Sequence, residues 1–121
     1  CEAIGILPDQ EPDWGSGVFA PFFQRDAYTA TLLPKLVMRT RARVVTGVAK
    51  RLPGKGFEIH FLDADERVYS EDEVQSATGV NASVEAAIAL DPAQYQWEYK
   101  RYRKVVEEQQ KRPDFRDFRL Y

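Results

Sequence analysis

The chain has 121 residues, 44% of them hydrophobic, a length and composition normal for one globular domain. Its formal net charge of −2 excludes the global basic field that nucleic-acid binders carry, and its single cysteine, Cys1, excludes an intrachain disulfide. No apolar run approaches the roughly 18–20 residues that a membrane-spanning helix needs.

Glu2–Leu7 is short, apolar and closed by Pro8, which predicts a buried strand ending at a loop. The chain opens in that strand with CEAIGIL and holds its only methionine at Met38, so we expect it to be a piece of something longer. The loop runs from Asp9 to Gly17 and carries three acids, Asp9, Glu11 and Asp13, beside Trp14 and two glycines. Val18–Phe23 is expected to be extended, because Pro21 lacks an N–H and suits an edge or a loop wall. Leu32, Leu33, Leu36 and Val37 keep helical spacing, and Pro34 places the start of that helix near Leu33. Arg41–Arg51 has the β-branched density of a strand, LPGKG is a turn, and Phe57–Leu62 alternates. These two strands should form a hairpin with Phe57, Ile59 and Phe61 on one face, against Glu58, His60 and Leu62, and one of the faces buried.

Ser70-Glu71-Asp72-Glu73 reads as a capping box that starts a helix reaching about Leu90. Asp91-Pro92 breaks it and is expected to cap another helix from about Ala93, carrying Tyr95, Trp97, Tyr99 and Tyr102. RPDFRDFRLY forms a tail. Charge is uneven: residues 1–92 hold 9 Lys/Arg and 14 Asp/Glu, whereas residues 93–121 hold 8 and 5. The order is therefore strand, loop, helix, strand, strand, helix, helix: an α/β chain whose first strand needs neighbours from outside it.

The acidic loop sits where ligands of open α/β sheets bind, beyond the carboxyl end of a strand. Asp9 follows the strand at once and could be held rigidly at a pocket mouth, with Gly15 and Gly17 allowing close approach of a ligand. Equally, Asp9 or Asp13 could make an Asx-turn or cap the next element, the glycines merely turning the chain. A hydrolase pairing Asp9 with Glu11 or Asp13 lacks a suitable base. His60-Phe-Leu-Asp-Ala-Asp65 matches H-x-x-x-x-D, the spacing of a His–Asp pair that activates a hydroxyl, but it lies where a strand runs into a turn. No metal-ligand cluster, nucleophile elbow or phosphate-binding glycine loop is present, and no cofactor is expected.

GILPDQEPDWGSGVFAPFF followed by AYTATLLPKL, then ARVVTGVAKRLPGKGFEIHFL and DPAQYQWEYKRYR, resembles the C-terminal portion of the bacterial lipid A biosynthesis acyltransferases, the lauroyl/myristoyl transferase family. The resemblance covers about residues 4–103. It implies a mixed-sheet acyltransferase-like α/β domain, of which residues 1–103 are the C-terminal half and residues 104–121 a basic helical extension and tail. It further implies transfer of a fatty acyl chain from acyl carrier protein to a hydroxyl of a lipid A precursor, at the cytoplasmic face of the inner membrane. LPDQEP stands where the wider glycerolipid acyltransferase superfamily has its acceptor-binding F-P-E-G-T-R block; Pro8 and Asp9 match its proline and acid, and its arginine has no counterpart. ARVVTGVAKR resembles a later strand block, with Thr46-Gly47 in place of the usual proline. On this resemblance Asp9, Gln10, Gly15, Gly17, Phe22, Phe23 and Arg51 are the substrate-binding residues, and Val18, Phe19, Phe22 and Phe23 would wall a cavity beside the acidic turn. The family's His–acid motif precedes the LPDQEP block, so His60–Asp65 cannot be it and the isolated chain is expected to be inactive. The alternative is a non-catalytic lipid-surface or docking module, in which the basic aromatic segment 93–104, with Lys100, Arg101 and Arg103, carries the interaction.

Overall fold

A computed structural model describes residues 2–111. Cys1 and the tail RPDFRDFRLY lie outside the described residues. The elements in order are β1 (Gly17–Phe22), β2 (Arg25–Ala30), α1 (Leu32–Thr40), β3 (Val45–Leu52), β4 (Gly56–Asp63), a 3-10 turn (Glu66–Tyr69), α2 (Glu73–Ala89), a second 3-10 turn (Pro92–Gln94) and α3 (Arg103–Gln110). The fold is mixed α/β, built on two antiparallel hairpins rather than one sheet.

The opening segment departs from expectation. Residues 2–7 are irregular and join no ladder, and Ile4 and Leu7 are 75% and 78% exposed. An apolar run predicts burial but not a partner, and no strand among the described residues pairs with it. What the reading missed is β2. Phe22 pairs with Arg25 across the two-residue loop Phe23-Gln24, and Gly17 pairs with Ala30 at the far end. RDAYTA shows no apolar alternation because its buried members, Ala27, Tyr28 and Thr29, are consecutive.

The helix with Pro34 in its first turn forms as expected, as α1, and ends on Arg41 in the left-handed conformation. β3 and β4 pair from Val45↔Asp63 to Leu52↔Gly56, the expected hairpin. Its burial is uneven. Phe57, Ile59 and Phe61 are 70%, 63% and 73% exposed, while His60 and Leu62 on the opposite face are half-buried. Alternation identifies two faces; which one is covered depends on the neighbouring layer, and α2 contacts β3 from the Thr46–Val48–Lys50 side.

α2 is the central element. Its N-cap is Asp72, which accepts from Gln75 N at 2.9 Å, instead of the expected Ser70; Ser70 closes the preceding 3-10 turn and its hydroxyl accepts from Asp72 N. Aspartate caps as well as serine, so the sequence offered two equivalent starts. Val84 and Ile88 pack against Phe22 and Ala27 of the first hairpin, with Tyr95 and Tyr102 closing the cluster. At Gly79 the helix touches the first 3-10 turn: a Cβ there would land on the backbone of Val68 and 2.7 Å from the carbonyl carbon of Arg67. Gly79→Ala is therefore expected to lose about 1–3 kcal/mol by overpacking, despite alanine's better helix propensity, as read by urea unfolding.

The helix expected from Ala93 to residue 104 does not form. After Pro92–Gln94 the chain makes tight turns, with Trp97 N donating to Tyr95 O and Arg101 N to Tyr99 O, until α3 begins at Arg103. Tertiary bonds from Tyr99, Arg101 and Tyr102 to other segments fix this path in place of a local helix.

Candidate functional site

The loop from Asp9 to Gly17 is held by a clasp made largely of residues 95–111. Glu11, with its side chain 1% exposed, donates its N–H to the Tyr99 hydroxyl at 2.8 Å. Its carboxylate accepts from Lys104 N at 2.8 Å and lies 3.6 Å from Arg103 Nε, so it serves the N-terminus of α3. Trp14 lies against Tyr28 and Phe19 at ring distances of 4.9 and 6.3 Å, and the ammonium groups of Lys104 and Lys111 sit over its ring. Gly15 N and Gly17 N both donate to the Tyr28 hydroxyl. Gly15 needs its positive φ of 90°; at Gly17 a Cβ would meet Thr29 O at 2.6 Å, so this glycine serves the approach of the chain's own hairpin.

Beneath the loop lies a buried polar knot. Arg101, 3% exposed, donates from its two terminal nitrogens to Tyr28 O at 2.7 Å, Thr29 Oγ1 at 3.1 Å and Asn81 Oδ1 at 3.3 Å. Asn81 Nδ2 in turn donates to Thr29 Oγ1 at 2.9 Å and Pro21 O at 3.1 Å. Thr29 Oγ1 donates to Ala27 O, which fills that hydroxyl's donor and both acceptor positions. Burial pushes the Arg101 guanidinium below its ordinary pKa, with Tyr95 and Glu11 opposing the shift; at so high an ordinary value the group remains charged. The lipid-facing role given to Arg101 on the alternative reading is thus overturned by its burial, and Arg103 is drawn to Glu11.

A cavity of about 860 Å³ opens beside α2, between residues 2–9, α1, β3 and the chain after α2. Its walls are aliphatic, from Ile6, Leu36, Val37, Val80, Val84 and Ile88. Its lining also holds Asp9, Asp91, Gln94, Tyr95 and Gln96, together with Thr46, Lys50 and Ser83. Burial, joined by the Asp9 charge, pushes the Tyr95 phenol above its ordinary pKa, so it stays protonated and able to donate. Asp9 itself is half-buried, and its carboxylate accepts no hydrogen bond from the described residues. That separates it from Glu11, Asp65 and Asp72, whose oxygens are taken by backbone N–H groups.

The residues expected to bind substrate are not gathered in one place. Asp9 lines the cavity and Gln10 follows it, exposed, on the same turn. Gly15 and Gly17 anchor the loop on Tyr28. Phe22 is 2% exposed in the core, and Phe23 is 40% exposed at the hairpin tip. Arg51 is exposed on β3, where its N–H donates to Gln94 Oε1. The wall expected from Val18, Phe19, Phe22 and Phe23 is therefore not the wall of this cavity; the aliphatic residues of α1 and α2 take that place, because the phenylalanines belong to the first hairpin and its packing on α2. His60 and Asp65 each have other neighbours. His60 Nε2 is 2.5 Å from Glu58 Oε1. Asp65 accepts from both the backbone N–H and the guanidinium of Arg67, which holds its carboxyl below the usual carboxylate range.

The sequence reading missed Asn81, Thr29 and Tyr28. Asn81 leaves a trace, as an amide inside the small-residue run ATGVNAS of a buried helix, where a polar side chain implies a buried partner.

Asp91, on the same cavity lining as Asp9, is likewise half-buried, and its carboxylate accepts no hydrogen bond from the described residues. An aliphatic cavity lined by two unspent carboxylates suits a protein that handles amphiphiles, and the family of the chain agrees. Residues 1–104 match the bacterial lipid A biosynthesis acyltransferases, and the chain belongs to that family. It is 31% identical over 104 residues to the lipid A biosynthesis lauroyltransferase of Escherichia coli (strain K12), a match covering 84% of this chain and 34% of that relative. It is 27% identical over 104 residues, with the same coverage, to the lipid A biosynthesis palmitoleoyltransferase of Escherichia coli (strain K12) and to a lipid A biosynthesis acyltransferase of Shigella flexneri. The chain thus spans about a third of the length of the curated relatives it matches. Among the described residues no helix is long and apolar enough to cross a membrane.

Proposed function

We propose that this chain supplies the acceptor- and acyl-binding part of an enzyme that moves a fatty acyl chain from acyl carrier protein to a hydroxyl of a lipid A precursor at the cytoplasmic face of the inner membrane. The observation that carries this reading is the half-buried Asp9 carboxylate, free of hydrogen bonds from the described residues, on the lining of a cavity with aliphatic walls. The volume lies within the ~300–1,000 Å³ of ordinary ligand sites. In the transfer, the acceptor oxygen attacks the thioester carbonyl carbon, the C–S bond breaks, and the proton passes from the hydroxyl to the departing sulfur. Asp9 accepts a hydrogen bond from the acceptor sugar and fixes its approach, Gln10 adds a second polar contact, and Ile6, Leu36 and Val84 cover hydrocarbon. In this reading the general base comes from polypeptide outside this chain, and Asp65 is held by the Arg67 guanidinium rather than by His60.

Each buried methylene of an acyl chain is worth about 0.8 kcal/mol, so the cavity's depth should set chain length. Leu36→Trp narrows it. In the complete protein this change is expected to shift the product toward acyl chains shorter by two or more carbons, as read by mass spectrometry of the acylated precursor. An unchanged chain-length profile would remove the hydrocarbon from this cavity.

A further inference from the structure

Tyrosine hydroxyls in this fold are tied to the backbone, with one exception. Tyr28, Tyr69 and Tyr99 accept the N–H groups of Gly15, Val44 and Glu11, and the Tyr102 hydroxyl donates to Phe22 O. The Tyr95 hydroxyl makes no hydrogen bond with the described residues. Its phenol lies instead on the cavity lining, half-buried, where the Asp9 carboxylate is open in the same sense. Folds pair nearly all such groups, so a donor and an acceptor left open on one lining point to a ligand.

The Tyr95 ring is held still. It packs on the cluster of Phe22, Ala27, Val84 and Ile88, and Trp97 meets it edge-on at 4.8 Å. The residue before it is stapled to β3: the Gln94 amide donates to Ala49 O at 2.6 Å and accepts from Arg51 N at 2.7 Å, as a neighbouring strand would. On the other side Trp97 N returns to Tyr95 O at 2.9 Å. A group presented on so fixed a ring loses little freedom when it binds. Burial, joined by the Asp9 charge, keeps the phenol protonated at neutral pH, and that charge acts on it because the two groups are neighbours within the cavity.

A carboxylate only accepts, and a protonated phenol beside it has a hydrogen to give. One ligand oxygen satisfies both if it carries a hydrogen of its own. A hydroxyl does so; an ether or ester oxygen has nothing to donate to Asp9, and an ammonium cannot accept from Tyr95. We propose that Tyr95 is a specificity-determining residue of acyl transfer, its phenol donating to a hydroxyl of the acceptor whose own hydrogen goes to Asp9. This rests on the reading of Asp9 as the acceptor contact. The gripped hydroxyl is not the attacking one, since the attacking oxygen surrenders its hydrogen to the base. The acceptor therefore carries at least two hydroxyls, one to react and one to be held.

Tyr95→Phe removes a single oxygen and keeps the packed ring, so the melting temperature of the complete protein should match the parent's. Its KM for the lipid A precursor should rise about fivefold or more, with kcat and the KM for the acyl donor unchanged. Tyr99→Phe is the contrast: its hydroxyl holds Glu11 N, so the change should lower stability. Because Tyr95 and Asp9 hold one hydroxyl, Tyr95→Phe combined with Asp9→Asn should lose less than the product of the two single losses. A parental acceptor KM in Tyr95→Phe, with Asp9→Asn slow, would overturn the role of Tyr95 and leave that of Asp9. Parental rates in both variants would sink the reading of the cavity itself. A lowered melting temperature, equal rises in the donor and acceptor KM, or losses that multiply would also overturn the proposal, since the hydroxyl would then serve the fold or a separate group.

Discussion

Arg101→Met is expected to destabilise the fold by about 3–5 kcal/mol, a large part of the roughly 5–15 kcal/mol that holds a domain of this size together. Replacing a buried ion pair with apolar residues can be neutral when both partners go. Here the partners are neutral and stay behind: Tyr28 O and Asn81 Oδ1 lose the Arg101 donors, and Thr29 Oγ1 keeps only the Asn81 amide, in a site where Thr29 and Asn81 are 0% and 1% exposed. Each stranded acceptor costs about 1–3 kcal/mol, and the relief from no longer burying a cation offsets only part of that. Arg101→Lys keeps the charge but replaces a planar fork by a single ammonium, so it should recover less than half of the loss. Urea unfolding of the two variants beside the parent chain decides the matter. A change below 1 kcal/mol for Arg101→Met would mean that the knot is satisfied in some other way.

The second large effect is on turnover. Asp9→Asn in the complete protein is expected to lower kcat/KM about 10- to 100-fold with little change in melting temperature. A hydrogen bond to a charged acceptor is worth about 1.5–3 kcal/mol, and each 1.36 kcal/mol is tenfold in rate. The stability should hold because the Asp9 carboxylate accepts nothing from the described residues. Glu11→Gln is the contrasting change: two residues away, it touches a carboxylate that binds Lys104 N and lies beside Arg103, so its effect should fall on stability. If Asp9→Asn transfers acyl groups at the parental rate, the acceptor is not held at this rim.

Local signals were read correctly where the local chain decides the outcome. Pro34 in a first turn, the β-branched run before LPGKG and the Asp91-Pro92 break all appear as expected. Errors arose where a distant partner decides. Segment 93–104 has the composition of a basic amphipathic helix, yet Tyr99, Arg101 and Tyr102 bond to residues 72 to 88 positions away and those bonds replace the helix. Spacing predicted that Phe57, Ile59 and Phe61 share a face, but whether that face is covered depends on a layer that spacing does not describe. The candidate site divided in the same way. Asp9 was legible because it follows a strand-like run and a proline; the aliphatic wall opposite was not, since Leu36, Val80 and Val84 come from helices whose apolar stripes look like ordinary core.

Tyr28 joins two systems that would otherwise be independent: its carbonyl takes the Arg101 guanidinium, and its hydroxyl takes the N–H groups of Gly15 and Gly17. Glu11 repeats the link from the other direction, through Tyr99 and Lys104. The acidic turn and the segment ninety positions downstream therefore open and close as one cooperative unit. Any molecule that grips the turn lends part of its binding free energy to the far segment, and anything that loosens the far segment weakens that grip by the same amount.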